Sequence, residues 1–98
     1  MELSPSLDLR GGQGEFYLVV EGARAYLSFT LRNGELVAER TYTPPELRGR
    51  GIAAKLVQGM IEYAEEQGLK ICPMCSYVVD YFSKRPELSQ YLSERCER

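Results

Sequence analysis

Apolar and polar residues alternate through the first half of the chain with the two-residue period of half-buried β-strands. Residues 16–20 form a β-favouring run, and residues 25–31 place leucine and phenylalanine on one face and tyrosine, serine and threonine on the other. The dipeptide Asn33-Gly34 tolerates positive φ at both central positions of a tight turn, so a third strand should follow over residues 35–42. The first half of the chain is therefore predicted to be a three-stranded antiparallel meander.

The period changes to that of an α-helix after a loop that contains two prolines and two glycines. The apolar positions that recur at helical spacing are Ile52, Ala53, Leu56, Val57, Met60, Ile61 and Ala64. Gly68 should stop this helix, and the short run 69–72 fits a strand that lies parallel to the third one after a right-handed crossover. A second helix is predicted within residues 75–84 and a last short helix over residues 88–95.

These elements define an α+β fold with the order β-β-β-loop-α-β-α. A chain of 98 residues can bury only one substantial core. We therefore expect residues 15–98 to form a single domain. Residues 1–14 are rich in glycine and show little periodicity, so they are expected to form a flexible N-terminal lead-in without a function.

Composition and charge exclude several classes of protein. No apolar run approaches the ~20 residues that a membrane-spanning helix needs, so no membrane partner is expected. The net charge of -2 argues against nucleic acid as a partner. No secretory leader is visible, so a cytoplasmic location is expected. Three cysteines without a histidine predict neither a disulfide framework nor a metal site.

The loop before the long helix carries the pattern Arg48-Gly49-Arg50-Gly51. Unpaired amides at the start of a helix can hold an anion, and glycines let backbone N–H groups approach phosphate oxygens without a Cβ in the way. A pyrophosphate fits this arrangement, and the two arginines would add electrostatic attraction. The alternative is that the glycines only make a tight turn. The spacing is not that of a Walker loop.

Residues 48–53 resemble the Arg/Gln-x-x-Gly-x-Gly/Ala signature with which GNAT-type N-acetyltransferases bind the pyrophosphate of acetyl-CoA. Further along the chain, Pro73, Cys75 and Tyr77 stand at the spacing of the Pro-x-Cys-x-Phe/Tyr element found in a short, stand-alone branch of GNAT-like proteins. The resemblance extends over roughly residues 15–92.

The resemblance implies a minimal GNAT-like fold that binds acetyl-CoA or coenzyme A and transfers an acetyl group to an amine. The residues that it assigns to the cofactor are Thr41, Tyr42, Thr43, Arg48, Gly49, Arg50, Gly51, Ile52 and Ala53. Members of the branch often carry histidine where this chain has Arg40 and Arg85. The branch also lacks the N-terminal helices that cradle the acceptor in larger members, so the acceptor, a small-molecule or a protein amine, is not identified by the resemblance.

Cys75 is expected where the crossover strand gives way to a helix, and a helix N-terminus stabilises a thiolate. It is a candidate nucleophile or partner of the cofactor sulfur, and alternatively a small apolar filler of the core. In GNAT reactions a tyrosine on the following helix often protonates the leaving thiolate, a role open here to Tyr77 or Tyr81. Glu39 is a candidate general base because alternation puts it on the same face as Thr41; alternatively it is a solvated carboxylate. The other candidate for the base is a water chain relayed by backbone carbonyls.

Three functions remain open on the sequence alone. The leading one is an acetyl-CoA-dependent N-acyltransferase, and the second is a coenzyme A-binding module without turnover. The third is a thiol-redox protein that uses Cys72 and Cys75 as a Cys-x-x-Cys pair. The redox alternative fits less well, because a thioredoxin-like fold opens with a βαβ unit and this chain opens with a meander.

Overall fold

The structure, a computed structural model, describes residues 4–96. Its strands are β1 (Ser6–Arg10), β2 (Gln13–Val20), β3 (Ala23–Arg32), β4 (Glu35–Tyr42) and β5 (Lys70–Pro73). Its α-helices are α1 (Ile52–Gln67) and α2 (Ser76–Ser83). Short 3-10 helices span Pro45–Leu47 and Pro86–Tyr91. Within this part of the chain, no helix combines the length and apolar character needed to cross a membrane.

All five strands form one sheet in the order β1-β2-β3-β4-β5. The first four strands are antiparallel, and β5 lies parallel to β4 because α1 crosses over between them. The α+β architecture and the parallel crossover strand predicted from the sequence are confirmed.

The meander has one strand more than predicted. Residues 6–10, which were expected to lie in a flexible lead-in, form β1 and pair with β2 from Ser6 opposite Tyr17 to Arg10 opposite Gln13. Leu7 and Leu9 alternate with polar residues over too short a run to signal a strand, and both stay more than a third exposed. The strand forms because β2 offers it a backbone edge, which is a tertiary effect that local sequence does not encode.

Helix α1 packs its apolar stripe on the sheet and ends at Gly68, whose φ of 69° is the left-handed geometry expected of a glycine stop. Phe16 and Phe29 meet the ring of Tyr63 on this helix. Leu56 and Met60 are fully buried in the same core. The face of the sheet that contacts α1 is therefore the core face.

The chain end differs from the last short helix predicted over residues 88–95. A 3-10 helix occupies Pro86–Tyr91, and Leu92 is already extended and forms a parallel bridge with Ile71 of β5. A backbone hydrogen bond from the Ser93 amide to the Ile71 carbonyl, 2.9 Å long, continues this pairing. Contact with the edge of β5 outweighs the helical spacing of the local sequence.

A β-bulge interrupts the pairing of β3 with β4. Ser28 lies opposite Arg40, and the next residue, Phe29, lies opposite Ala38, so Glu39 is left without a partner of its own. Directly opposed residues share a face, and Leu27 and Phe29 are core residues. Both Ala38 and Thr41 therefore point to the core face, although three positions separate them.

Candidate functional site

A cleft of about 310 Å³ lies between the end of β4, the loop after it and the start of α1. All of the predicted cofactor-binding residues except two line this cleft. The residues in question are Thr41, Thr43, Arg48, Gly49, Gly51, Ile52 and Ala53. Leu47 closes its inner side, and Tyr77 of α2 contributes from the other helix. The fold thus brings together segments that the sequence separates by more than twenty positions.

The backbone of the loop at residues 48–51 leaves open space at the N-terminus of α1. Gly49 and Gly51 have φ values of 82° and 75°, and a Cβ at either position would meet no atom within 4 Å. Within the described chain no side chain caps the amide end of α1, and the first helical bond there runs from Lys55 N–H to the Gly51 carbonyl at 3.2 Å. The amides that precede Lys55 are therefore available to an external acceptor. Together with the helix dipole they favour an anion.

The two arginines of the loop are placed differently. Arg48 lines the cleft, and its Nε donates a hydrogen bond of 3.0 Å to the Thr43 carbonyl. Arg50 pairs instead with Glu21 of the turn between β2 and β3, with 3.4 Å between Nη2 and Oε1. Both side chains of that pair are well exposed. Only Arg48 is thus fixed beside the cleft.

Tyr42 is the other predicted residue whose side chain does not line the cleft. Its ring stacks on Tyr26 with 5.7 Å between ring centroids, and the two residues lie opposite each other across β3 and β4. Tyr42 follows Thr41 directly, so alternation turns its side chain to the sheet face away from α1. Only its backbone is positioned to serve the cleft.

Strands β4 and β5 separate halfway along β4. Their pairing covers Glu35 to Ala38, and the Ala38 carbonyl then accepts hydrogen bonds from the amides of Met74, at 2.9 Å, and Cys75, at 3.1 Å. Beyond this point α2 begins, and within residues 4–96 no strand lies beside residues 39–42 on that side. The backbone of β4 therefore presents a free edge that an extended ligand with amide groups could pair with.

Cys75 sits where the strands separate. It is the residue before α2, it is half-buried, and its sulfur lies 3.2 Å from Thr41 Oγ1. Burial alone would raise the pKa of the thiol. The Thr41 hydroxyl and the backbone groups of Val78, Tyr77 and Thr41 outweigh that effect, so the pKa of Cys75 lies below its ordinary value. The site therefore favours the thiolate, the reactive form of cysteine.

Tyr77 and Tyr81 lie on neighbouring turns of α2 with 6.4 Å between ring centroids. Tyr77 lines the cleft and is 37% exposed. Partial burial and the nearby Tyr81 raise its pKa, so its phenol keeps the proton at neutral pH. Tyr81 is buried, and its ring carries the Arg85 guanidinium at 3.8 Å from the centroid. Of the two candidate proton donors, Tyr77 is the one at the cleft.

Glu39 does not share a face with Thr41, so the alternation argument fails at this residue. The bulge carries Thr41 to the core face, while Glu39 accepts a hydrogen bond of 3.0 Å from Thr30. Thr30 alternates with Phe29 and so faces away from α1. Glu39 lines a separate cleft of about 410 Å³ on that outer face, together with Asp8 and Glu15.

The structure does not join Cys72 to Cys75. Cys72 forms a disulfide with Cys96, with 5.4 Å between their Cα atoms, and Cys75 is a free thiol. The odd cysteine count of the sequence therefore hides one disulfide. The Cys-x-x-Cys redox alternative loses its basis because its two sulfurs have different partners. Among residues 4–96, no three histidine, cysteine or acidic side chains converge on a metal position.

Two contacts of the cysteines could not be predicted from the sequence. The contact between Thr41 and Cys75 joins residues 34 positions apart, and the bulge that makes it possible has no glycine to mark it. The partner of Cys72 was equally hidden, because Cys96 lies 24 residues away and spacing alone does not select it.

Comparison with known proteins assigns this chain to a family. A family model described as GCN5-related N-acetyl-transferase matches residues 15–92, which is most of the chain. The chain therefore belongs to the GCN5-related N-acetyltransferase family. Its fold is similar to the NMR solution structure of a GCN5-like protein from Staphylococcus aureus, with a TM-score of 0.66 and 22% sequence identity. That match covers 90% of this chain and 87% of the other.

Proposed function

We propose that this protein is an acyl-CoA-dependent N-acyltransferase that acts on a small-molecule or protein amine. The observation that carries the proposal is the continuity of the cleft. It starts at the uncapped amides of α1 and passes Thr43, which follows β4, and then Thr41 of β4, which in turn contacts the Cys75 sulfur. Family membership supports the same class of reaction.

The residues of the cleft fit coenzyme A. The open space at Gly49 and Gly51 and the free amides of α1 suit a pyrophosphate, and Arg48 adds a positive charge beside them. The free edge of β4 over residues 39–42 suits the two amides of pantetheine. Acetyl-CoA would supply an activated acyl thioester. The residues of this chain would hold it and polarise it through backbone N–H groups.

Cys75 and Tyr77 are the residues we propose for the chemistry. Tyr77 keeps its proton at neutral pH and lies at the cleft, so it can donate that proton to a leaving thiolate. Cys75 holds a thiolate more readily than an ordinary cysteine and can act as a nucleophile or as a partner of the cofactor sulfur. Backbone carbonyls and water would take the proton of the acceptor ammonium, because Glu39 faces the other side of the sheet.

A coenzyme A-binding module without turnover is the second candidate. The position of Glu39 favours it, because the carboxylate proposed as general base lies on the outer face, away from Thr41 and Cys75. In this case coenzyme A would bind in the same cleft and no acyl group would leave it.

Two measurements separate these candidates. Titration calorimetry at moderate salt should detect binding of both coenzyme A and acetyl-CoA. Release of free thiol from acetyl-CoA should then rise above background with members of a broad panel of primary amines. Binding with background thiol release across the panel would leave the module as the function, whereas absence of binding would overturn both candidates.

A further inference from the structure

The C-terminal segment, residues 90–96, is held on the outer edge of the sheet by a small group of contacts. Lys70 Nζ donates a 2.7 Å hydrogen bond to the Gln90 carbonyl, and the Ser93 amide donates to the Ile71 carbonyl at 2.9 Å. The Ser93 hydroxyl donates to Glu35 Oε2, and Arg95 reaches the Asn33 carbonyl at 3.2 Å. The covalent contact is the disulfide between Cys96 and Cys72.

The segment covers groups that would otherwise face water. Strand β5 is the last strand of the sheet, so the Ile71 carbonyl lies on its outer edge. Glu35 is only 8% exposed, and the Ser93 hydroxyl is the hydrogen-bond donor to its carboxylate. Holding the segment in place therefore covers both a strand edge and a carboxylate.

The disulfide is not part of the main core, although Cys72 is buried. Cys72 and Cys96 lie outside the cluster of buried apolar residues that α1, α2 and the sheet share. Tyr91 and Leu92 pack against that cluster, but residues 93–96 contain neither helix nor strand, and the hydrogen bonds of Ser93 and Arg95 are few. Opening the disulfide would therefore release a local segment while the core stays folded.

We propose that the Cys72–Cys96 disulfide is a reversible redox latch that fixes the C-terminal segment on β5 when oxidised and releases it when reduced. The two sulfurs differ in access, because Cys72 is 2% exposed and Cys96 is half-buried. A dithiol reductant attacks Cys96 Sγ, and Cys72 leaves as a thiolate and takes up a proton. The second thiol of the reductant then displaces Cys96 as a thiol and closes the reductant's own disulfide.

Opening the latch exposes the β5 edge at Ile71 and leaves the Glu35 carboxylate to water. Strand β5 leads directly to Cys75, but the amides of Met74 and Cys75 are held by Ala38 of β4 on its other edge. The released state therefore differs from the closed state at the outer edge of the sheet, and the free thiol at the cleft is not part of the latch.

Thiol counting and amide exchange test the latch on the full chain. After air oxidation at low protein concentration, the denatured protein should show one free thiol, that of Cys75, and after dithiothreitol three. Reduction should speed hydrogen exchange at the Ser93 amide at least about tenfold. It should leave the Leu47 amide, which is bonded to the Pro44 carbonyl in the loop after β4, unchanged.

Two variants complete the experiment. Cys96→Ser should show the fast Ser93 exchange without any reductant, whereas Cys75→Ser should keep both the closed state and its response to dithiothreitol. Three free thiols after oxidation, or equal Ser93 exchange in the oxidised and reduced wild type, would overturn the proposal. The wild-type comparison does not depend on whether either variant folds.

Discussion

At the scale of single residues, the Thr41 hydroxyl is what most distinguishes Cys75 from an ordinary cysteine. Burial opposes the thiolate, so the lowered pKa depends on groups that donate to the sulfur, and among residues 4–96 Thr41 is the only side chain that does so. Thr41→Val removes that donor while nearly preserving shape. We expect the pKa of Cys75 to rise in this variant, measured as the pH midpoint of alkylation by iodoacetamide.

Thr30→Val is the matched control for that experiment. Thr30 occupies a neighbouring strand and donates its hydroxyl to Glu39 on the opposite face of the sheet. Its loss should leave the alkylation midpoint of Cys75 where it is in the wild type. Equal midpoints in wild type and Thr41→Val would show that backbone groups alone hold the thiolate.

Cys75 and Tyr77 should differ in how they affect catalysis. Cys75→Ala keeps the backbone that pairs with Ala38, so coenzyme A affinity should persist while turnover falls. Tyr77→Phe should lower the rate about 100-fold if the phenol donates a proton in the slow step. The rates of thiol release and the calorimetric affinities check both expectations, and a Cys75→Ala variant with the full wild-type rate would exclude a catalytic role for the thiol.

At the scale of elements, the loop between β4 and α1 combines backbone conformation with ligand access. Gly49→Ala places a methyl group in open space but at a φ of 82°, which costs roughly 1–2 kcal/mol of stability. Gly22, in a hairpin turn, has a φ of 83° and equally open surroundings. Gly22→Ala should therefore lose similar stability, while only Gly49→Ala should weaken coenzyme A binding, by about tenfold if one charge-assisted hydrogen bond is lost.

Chemical denaturation of the two glycine variants measures the stability lost to backbone strain, and calorimetry measures the affinity for coenzyme A. Equal losses of affinity in both variants would mean that the loop serves only as a turn.

The elements also show how far the sequence predicts the molecule. Strand and helix periods, the Asn33-Gly34 turn and the glycine after α1 are local signals, and these parts of the fold were predictable. The first strand, the bulge at Glu39 and the bridge between Ile71 and Leu92 depend on contacts between distant segments. The glycine loop of residues 48–51 could be predicted because it is also a local signal. The contact of Thr41 with Cys75 could not, because the bulge at Glu39 reverses which residues of β4 share a face.

At the scale of the whole molecule, Pro5, which precedes β1, packs against α1 at Gly59. A Cβ at Gly59 would lie 2.8 Å from Pro5 Cγ, so the glycine in the middle of this helix makes room for the proline ring. Elsewhere in a helix, replacing glycine by alanine stabilises a protein by about 1 kcal/mol. Here that gain should be cancelled by displacement of the segment that leads into β1.

A double-mutant cycle measures this coupling. Gly59→Ala alone should bring no gain in the free energy of unfolding, and in a Pro5→Gly background it should bring most of the helix gain, an interaction energy of about 1 kcal/mol. Glu65→Ala, at an exposed position of the same helix, should add to Pro5→Gly without coupling. Additive free energies for Gly59→Ala as well would mean that the start of the chain does not press on α1, and that β1 is held by its pairing with β2 alone.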